Sequence, residues 1–367
     1  MKRVLVVGFT DNPGGIENVV MNYYRNFDKK KVQLDFLYST NTIAFNDEIK
    51  SLGGNTYKIT AKHSDYSKYK KELKEFFENN GKNYDAIWVN FCNITNLDYF
   101  KLAKKYGINK RIIHSHNNQN MASKLVLLIH KLNRLLINKY ATDYWACSDT
   151  AADWFYTKKV RKENKILIVN NAVDLDRFKY NESISKKYKK DLGLDGKFVI
   201  GHVGRFHFQK NQLFLLDVFN KIHEKDKDSV LVLVGQGEDE QKIKDKIKDL
   251  NLKSSVKLLG VRDDVNKVIQ AMDVFLFPSV FEGLGLVLVE AQAAGIPVVS
   301  SCDKTPKIVK MSDNFKFLSL NDSLDTWRDA VLDFKGTKKT DNSKTIISKG
   351  YDIKTEAKKI EKFFERD

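Results

Sequence analysis

The chain has 367 residues, 42% hydrophobic and 30% charged, which is enough apolar material for two folded cores and excludes a disordered chain. Lys and Arg number 63 against 47 Asp and Glu, a formal charge of +16 that points to anionic partners. Four prolines exclude a proline-rich linker, no apolar run approaches the roughly 18 residues of a membrane-spanning helix, and the opening MKRVLVVG breaks at a glycine too soon for a signal peptide. Cys92, Cys147 and Cys302 are too few and too scattered for a disulfide framework or a zinc site, so a reducing cytoplasm is expected.

Taken in chain order, Arg3–Gly8 reads as a short apolar strand and about Ile16 to Phe27 as a helix. The loop between them, Asp11-Asn12-Pro13-Gly14-Gly15-Ile16-Glu17, is not a dinucleotide fingerprint. Its Gly14 and Gly15 offer bare amides at a helix start. Strands follow at 32–38, 86–90, 111–114 and 144–147, with helices at 66–80 and 97–106 among them. Such alternation implies parallel strands joined by crossover helices, an α/β class. His114-Ser115-His116-Asn117 ends one of these strands. The two histidines are read as pointing to opposite sides of the strand, one into the core and one toward a ligand cleft. With no His/Cys cluster beside them, a metal is not expected.

The charge is uneven. Residues 1–170 hold 28 Lys and Arg against 16 Asp and Glu, the rest 35 against 31, and residues 101–142 hold nine basic residues and no acid. Within that stretch the helix Met121–Tyr140 places Leu125, Ile129, Leu132 and Leu136 on one stripe, expected to pack on a core. Lys124, Lys131, Lys139, Leu128 and Leu135 share a neighbouring face, which suits an anionic lipid surface. A lysine-biased composition and an ordinary buried helix with a mixed face explain the same residues. Nucleic acid is disfavoured, because no recognition module or stacking-aromatic pattern accompanies the charge.

Asp174–Gly196 is polar, lysine-rich and without a clear period, and reads as a connection. The alternation then restarts, with strands at 198–203, 230–234, 256–259, 274–277 and 297–300 and helices at 213–224, 238–250, 263–271 and 286–294. The expectation is two doubly wound, Rossmann-like domains, 1–180 and 190–350, facing a cleft. A last helix within 351–367 returns to the first domain. Ligands of such sheets bind beyond the carboxyl ends of the strands.

Two segments of the second half carry chemistry. Gly204-Arg205-Phe206-His207-Phe208-Gln209-Lys210 follows a strand, and its two cations can grip a diphosphate and neutralise it as it departs. In Phe277–Ser300, Glu282 precedes Gly283-Leu284-Gly285, Leu286 opens a helix, and Glu290 follows eight residues after Glu282. Glycines before a helix let amides approach a phosphate. A carboxylate at Glu290 can accept two hydrogen bonds from a vicinal diol such as ribose.

These strings resemble the nucleotide-sugar glycosyltransferases of the GT-B fold, in particular the large retaining family four, or glycosyltransferase group 1. Glu282 to Glu290 looks like its E-x7-E element and Gly204–Lys210 like its diphosphate clamp. Pro13–Glu17 looks like its N-terminal glycine loop, and Asn171–Asp174 with Phe178 like its domain junction. His114–Asn117 is similar to the subgroup that builds capsular and exopolysaccharides. The family often has glycine where Asn171 stands, and the subgroup glutamate where Ile308 stands.

The resemblance implies that Arg205 and Lys210 hold the donor diphosphate, that Glu282 binds the donor sugar and Glu290 the ribose. Gly204, Gly283, Leu284, Gly285 and Leu286 would line the phosphates, and Val261 and Arg262 would border the base. His116 would face the sugar, Gly15 would lie under the phosphates or acceptor, and Gly14 and Asn117 would belong to the acceptor side. It implies no cofactor and no metal, with Asp174-x-Asp176 structural. The implied reaction moves a sugar, with retention, from a nucleotide diphosphate, UDP first, to a hydroxyl of a glycan or polyprenyl-diphosphate-linked acceptor. The implied location is the cytoplasm, with peripheral attachment at the inner face of the cell membrane raised by the basic helix. A nucleotide-sugar epimerase and a non-catalytic nucleotide-sugar binder are the alternatives on the same architecture.

Overall fold

The computed structural model describes residues 1–117, 123–302 and 305–366. Met121 and Ala122 of the basic helix, and Asp367, lie outside them. The chain divides into two compact units, Met1–Ala172 with Ile353–Asp367, and Val173–Asp352.

The first unit is built on β1 (Lys2–Val7), β2 (Val32–Tyr38), β3 (Thr56–Lys58), β4 (Ala86–Phe91), β5 (Lys110–Ser115), β6 (Asp143–Ala146) and β7 (Ile166–Ile168). Their order is β3-β2-β1-β4-β5-β6-β7, and each pair is parallel. Successive side chains leave a strand on opposite faces, so Val4 and Val6 enter one core while Leu5 and Val7 enter the other. The sequence reading missed β3 and β7. Each has three residues, too few to show an alternation, and each exists because a neighbouring strand pairs with it.

The Ile353–Glu365 helix closes this unit. Phe364 is 1% exposed, with ring centroids 6.3 Å from Phe27, 6.1 Å from Trp88 and 5.8 Å from Trp145. Glu361 accepts a 2.6 Å hydrogen bond from the Asp28 amide.

The second unit contains β8 (Phe198–Val203), β9 (Ser229–Val234), β10 (Val256–Leu258), β11 (Val274–Phe277), β12 (Val298–Ser301) and β13 (Phe315–Leu318) in the order β10-β9-β8-β11-β12-β13, again parallel. The segment expected to be a connection is part of this unit. It forms the helices Leu175–Phe178 and Glu182–Asp191, capped by the Asp174 and Asn181 side chains. The longer helix buries only Ser185, whose hydroxyl donates to the Gln270 carbonyl at 2.7 Å, so it shows no apolar period.

One helix contradicts its wheel. The basic helix spans Lys124–Leu136, and the expected core stripe is not buried: Leu125, Leu132 and Leu136 are 66%, 56% and 41% exposed. The helix docks through its polar side instead. Buried His130 stacks on Trp154 with ring centroids 4.5 Å apart, and its Nδ1 accepts the Ile94 amide at 3.1 Å. Asn133 donates to the Ile94 carbonyl at 2.9 Å, and Arg134 to the Trp154 and Tyr156 carbonyls at 3.3 and 3.1 Å. Buried backbone groups need partners, and leucine cannot supply them.

Phe364→Ala removes a ring enclosed by four aromatic neighbours, Phe27, Trp88, Trp145 and Phe363. The expected loss is about 3–5 kcal/mol of stability, read as a lower urea midpoint for the unit that contains Trp88 and Trp145.

Candidate functional site

In the second unit the loops after β8, β9 and β11 converge. Gly235 follows β9 with φ +133°, and a Cβ there would overlap the Gly204 carbonyl; one at Gly237 would overlap the Phe206 carbonyl. Glycine is therefore required for the loop after β9 to cross the loop after β8. The loops after β8 and β11 are joined through Gln209, whose carbonyl accepts from the Val280 amide and the Ser279 hydroxyl, both at 2.8 Å. Gln209 Nε2 donates to the Phe281 carbonyl at 2.9 Å.

This stitching sets Lys210 against Glu282, with Nζ 2.6 Å from Oε1. Glu282 is buried and also accepts the Ser279 hydroxyl at 2.5 Å, while Lys210 Nζ lies 4.9 Å from the centre of the Phe277 ring. Arg205 is exposed and forms a two-pronged pair with Glu238. Behind them is His202, which the sequence reading did not single out. Its Nδ1–H donates to the Leu276 carbonyl at 3.0 Å, and its Nε2 lies 3.2 Å from Gln212 Nε2. Burial pushes its pKa down to about 4, and nearby Lys210 pushes the same way, so the ring is neutral.

Gly285, at φ +79°, is the N-cap of the Leu286–Ala293 helix, and no side chain caps it. The first amides of a helix have no carbonyl partners of their own and favour an anion. The Leu284 and Leu286 side chains pack on the core, while among the described residues, its chain neighbours aside, nothing lies within 4 Å of a Cβ placed at Gly283. Glu290, one turn in, is half-buried, and desolvation raises its carboxyl to about 7, opposed by Arg177. Val261 is exposed. The Arg262 guanidinium is tied back to Asp264 at 2.7 and 2.6 Å, and Asp264 also accepts from Tyr188 at 2.7 Å. Asp174 accepts the Asp176 and Arg177 amides, a helix-capping role.

In the first unit a cavity of about 340 Å³ opens at the carboxyl ends of β1, β2 and β4, lined among others by Thr10, Ile16, Tyr38, Asn90 and Cys92. A Cβ at Gly8 would overlap the Asn90 carbonyl. Buried Glu17 accepts both the amide and the hydroxyl of Thr10 at 2.9 Å, which holds the loop that carries Gly14 and Gly15. The histidines differ from expectation. His114 and His116 lie on the same side, with ring centroids 4.0 Å apart, because residues i and i+2 of a strand share a face. His116 Nε2 is 2.9 Å from Asn90 Oδ1, and the Asn90 amide donates to the Val7 and Trp88 carbonyls. His116 is therefore the donor, and loss of hydration pushes its pKa down to about 3. Asn117 follows it, its carbonyl 3.4 Å from the Ser115 hydroxyl.

A sequence profile for "Glycosyl transferases group 1" matches residues 184–335. The putative glycosyltransferase EpsF of Bacillus subtilis (strain 168) is 33% identical over 339 residues, covering 90% of this chain and 87% of EpsF. The chain belongs to the group 1 glycosyltransferases. The UDP-Gal:alpha-D-GlcNAc-diphosphoundecaprenol alpha-1,3-galactosyltransferase of Escherichia coli is 34% identical to this glycosyltransferase over 209 residues, 54% of each chain. Anabaena Alr3699/HepE, solved in complex with UDP, superposes with a TM-score of 0.77 at 20% identity, covering 99% of both chains, and shares its GT-B fold.

The glycosyltransferase thus brings Lys210, Glu282 and the start of the Leu286–Ala293 helix together in one unit. In the other, Asn90, which His116 hydrogen-bonds, lines a cavity together with Ile16, next to Gly15, while His116 itself is not among the lining residues. His202, Ser279, Glu238 and Asn90 were missed by the sequence reading, since each acts through a partner distant in the chain. A carboxyl held above its ordinary 4.5 stabilises the fold while protonated, and that contribution is lost as pH rises through about 7. Glu290→Gln should therefore melt ~2–5 °C above the parent at about pH 8 and converge with it near pH 5; melting curves across that range check this, and a pH-independent difference contradicts it.

Proposed function

We propose that this glycosyltransferase moves a sugar from a UDP-sugar to a hydroxyl of a glycan carried on a lipid diphosphate, in surface polysaccharide synthesis, with retention at the anomeric carbon. The observation that carries the reading is the Lys210–Glu282 pair beside the uncapped helix start at Leu286. A diphosphate brought to that helix start offers Lys210 a second anionic partner. Glu282 is then released toward the donor sugar hydroxyls, and Arg205 can exchange its exposed Glu238 partner for phosphate at little cost. Uridine and the lipid-linked acceptor are supported by the printed name of the E. coli relative and by the UDP complex of HepE.

In the proposed step the bond from the anomeric carbon to the diphosphate oxygen breaks, and its electron pair leaves with the phosphate. Lys210 and Arg205 neutralise that charge, so the step needs no metal ion. The acceptor oxygen bonds to the anomeric carbon on the face just vacated, and its proton passes to the departing phosphate oxygen. His116 is held neutral and acts as a hydrogen-bonding group beside the sugar, not as a cationic acid. Glu290 takes the ribose diol.

Lys210→Ala should lower turnover about 10²–10³-fold in a protein that still folds, with a lower melting temperature because buried Glu282 loses its partner; near-parental turnover sinks the assignment. NMR of the product anomer tests retention, and an inverted product rejects it. Stabilisation by UDP over GDP in a thermal-shift panel tests the base. Incubating the donor alone separates transfer from epimerisation, which needs no acceptor.

A further inference from the structure

The Lys124–Leu136 helix is mounted with its polar side inward. His130, Asn133 and Arg134 anchor it, and Ile137 just beyond is buried. The opposite side displays Leu125, Leu128, Leu132, Leu135 and Leu136, with Leu128 and Leu135 54% and 67% exposed. Their spacing of three and four residues makes one continuous apolar stripe, about 17 Å long from Leu125 to Leu136 at 1.5 Å per residue. An apolar stripe on a monomeric surface marks a contact, because water penalises it.

The helix and the segment just after it carry cations and no acid, while the Glu163 carboxylate packs 3.4 Å from Asn138 past the helix end. Lys124 and Lys131 are exposed on the helix, and Lys139 is exposed just beyond its end. Lys104 reaches the Lys139 carbonyl at 3.1 Å, and both Lys101 and Lys104 lie over the Tyr140 ring at 5.8 and 6.0 Å. No acid occurs anywhere in residues 101–142. A second copy of this surface would bring like charges together. An anionic bilayer complements both features: the leucines enter the boundary between headgroups and acyl chains while the lysines stay among the phosphates.

We propose that this leucine face is a membrane-docking surface for anionic phospholipid. It does not depend on the proposed sugar-transfer reaction, because no donor-binding residue belongs to it. The helix lies flat, held by hydrogen bonds on one side and by lipid on the other.

The test is co-sedimentation of the full chain with phosphatidylcholine vesicles and with vesicles containing about half phosphatidylglycerol, near 0.1 M salt. Parental protein should partition about 10- to 100-fold better to the anionic vesicles, and added salt should weaken it. The triple substitution Leu128→Ser, Leu132→Ser, Leu135→Ser should lose that binding at least ~10-fold, with an unchanged melting curve and unchanged nucleotide-sugar affinity. Lys124→Gln, Lys131→Gln, Lys139→Gln should remove the preference for anionic lipid. Parental protein left in the supernatant with both vesicle types overturns the proposal. So does vesicle binding indifferent to the leucine substitutions, or a dimer that those substitutions dissolve without any vesicle binding by the parent.

Discussion

A parallel strand can be followed by its neighbour only through a crossover that returns the chain to the starting edge. Every strand pair described here is parallel, so each strand delivers its carboxyl end to the same edge of its sheet. Loops far apart in the chain are thereby forced into one cluster in each unit. The crowding has a local consequence: Gly235 passes the Gly204 carbonyl, and Gly8 passes the Asn90 carbonyl, where no side chain fits.

The Lys210–Glu282 pair is the electrostatic product of that crowding. Removing both charges from water is costly, and the partners repay it only with good geometry. Here the Ser279 hydroxyl and the Phe277 ring supply further contacts to the carboxylate and the ammonium. Arg205–Glu238 is the exposed counterpart, weakly held by screening and readily exchanged. Of the two cations proposed to hold the diphosphate, Lys210 is thus preorganised and Arg205 is available. Buried His202 adds no charge of its own, since burial and Lys210 together keep it neutral.

The alternation of long strands and helices was legible because a strand buried on both faces reads as a continuous apolar run. Edge strands such as Thr56–Lys58 were not, because three residues carry no period. The His114–His116 pair was misread, since the period of two places both rings on one face of the strand. The basic helix was misread for a different reason. A wheel shows that two faces differ in polarity, but not which of them meets the protein. The Ile94 amide needed an acceptor, which His130 supplies, and the carbonyls of Ile94, Trp154 and Tyr156 needed donors, which Asn133 and Arg134 supply.

Residue type and spacing alone determined the two-domain α/β plan and singled out the stretch from Glu282 to Glu290, through which the chain resembles its family, because these depend on local order along the chain. They also located the excess positive charge between residues 101 and 142. Only the tertiary structure decided what each charge faces. Lys210 meets Glu282 across 72 residues and Arg205 meets Glu238 across 33, while desolvation rather than a neighbouring acid raises Glu290. Burial and ion pairing depend on distance in space, and parallel crossovers make that distance independent of separation in sequence.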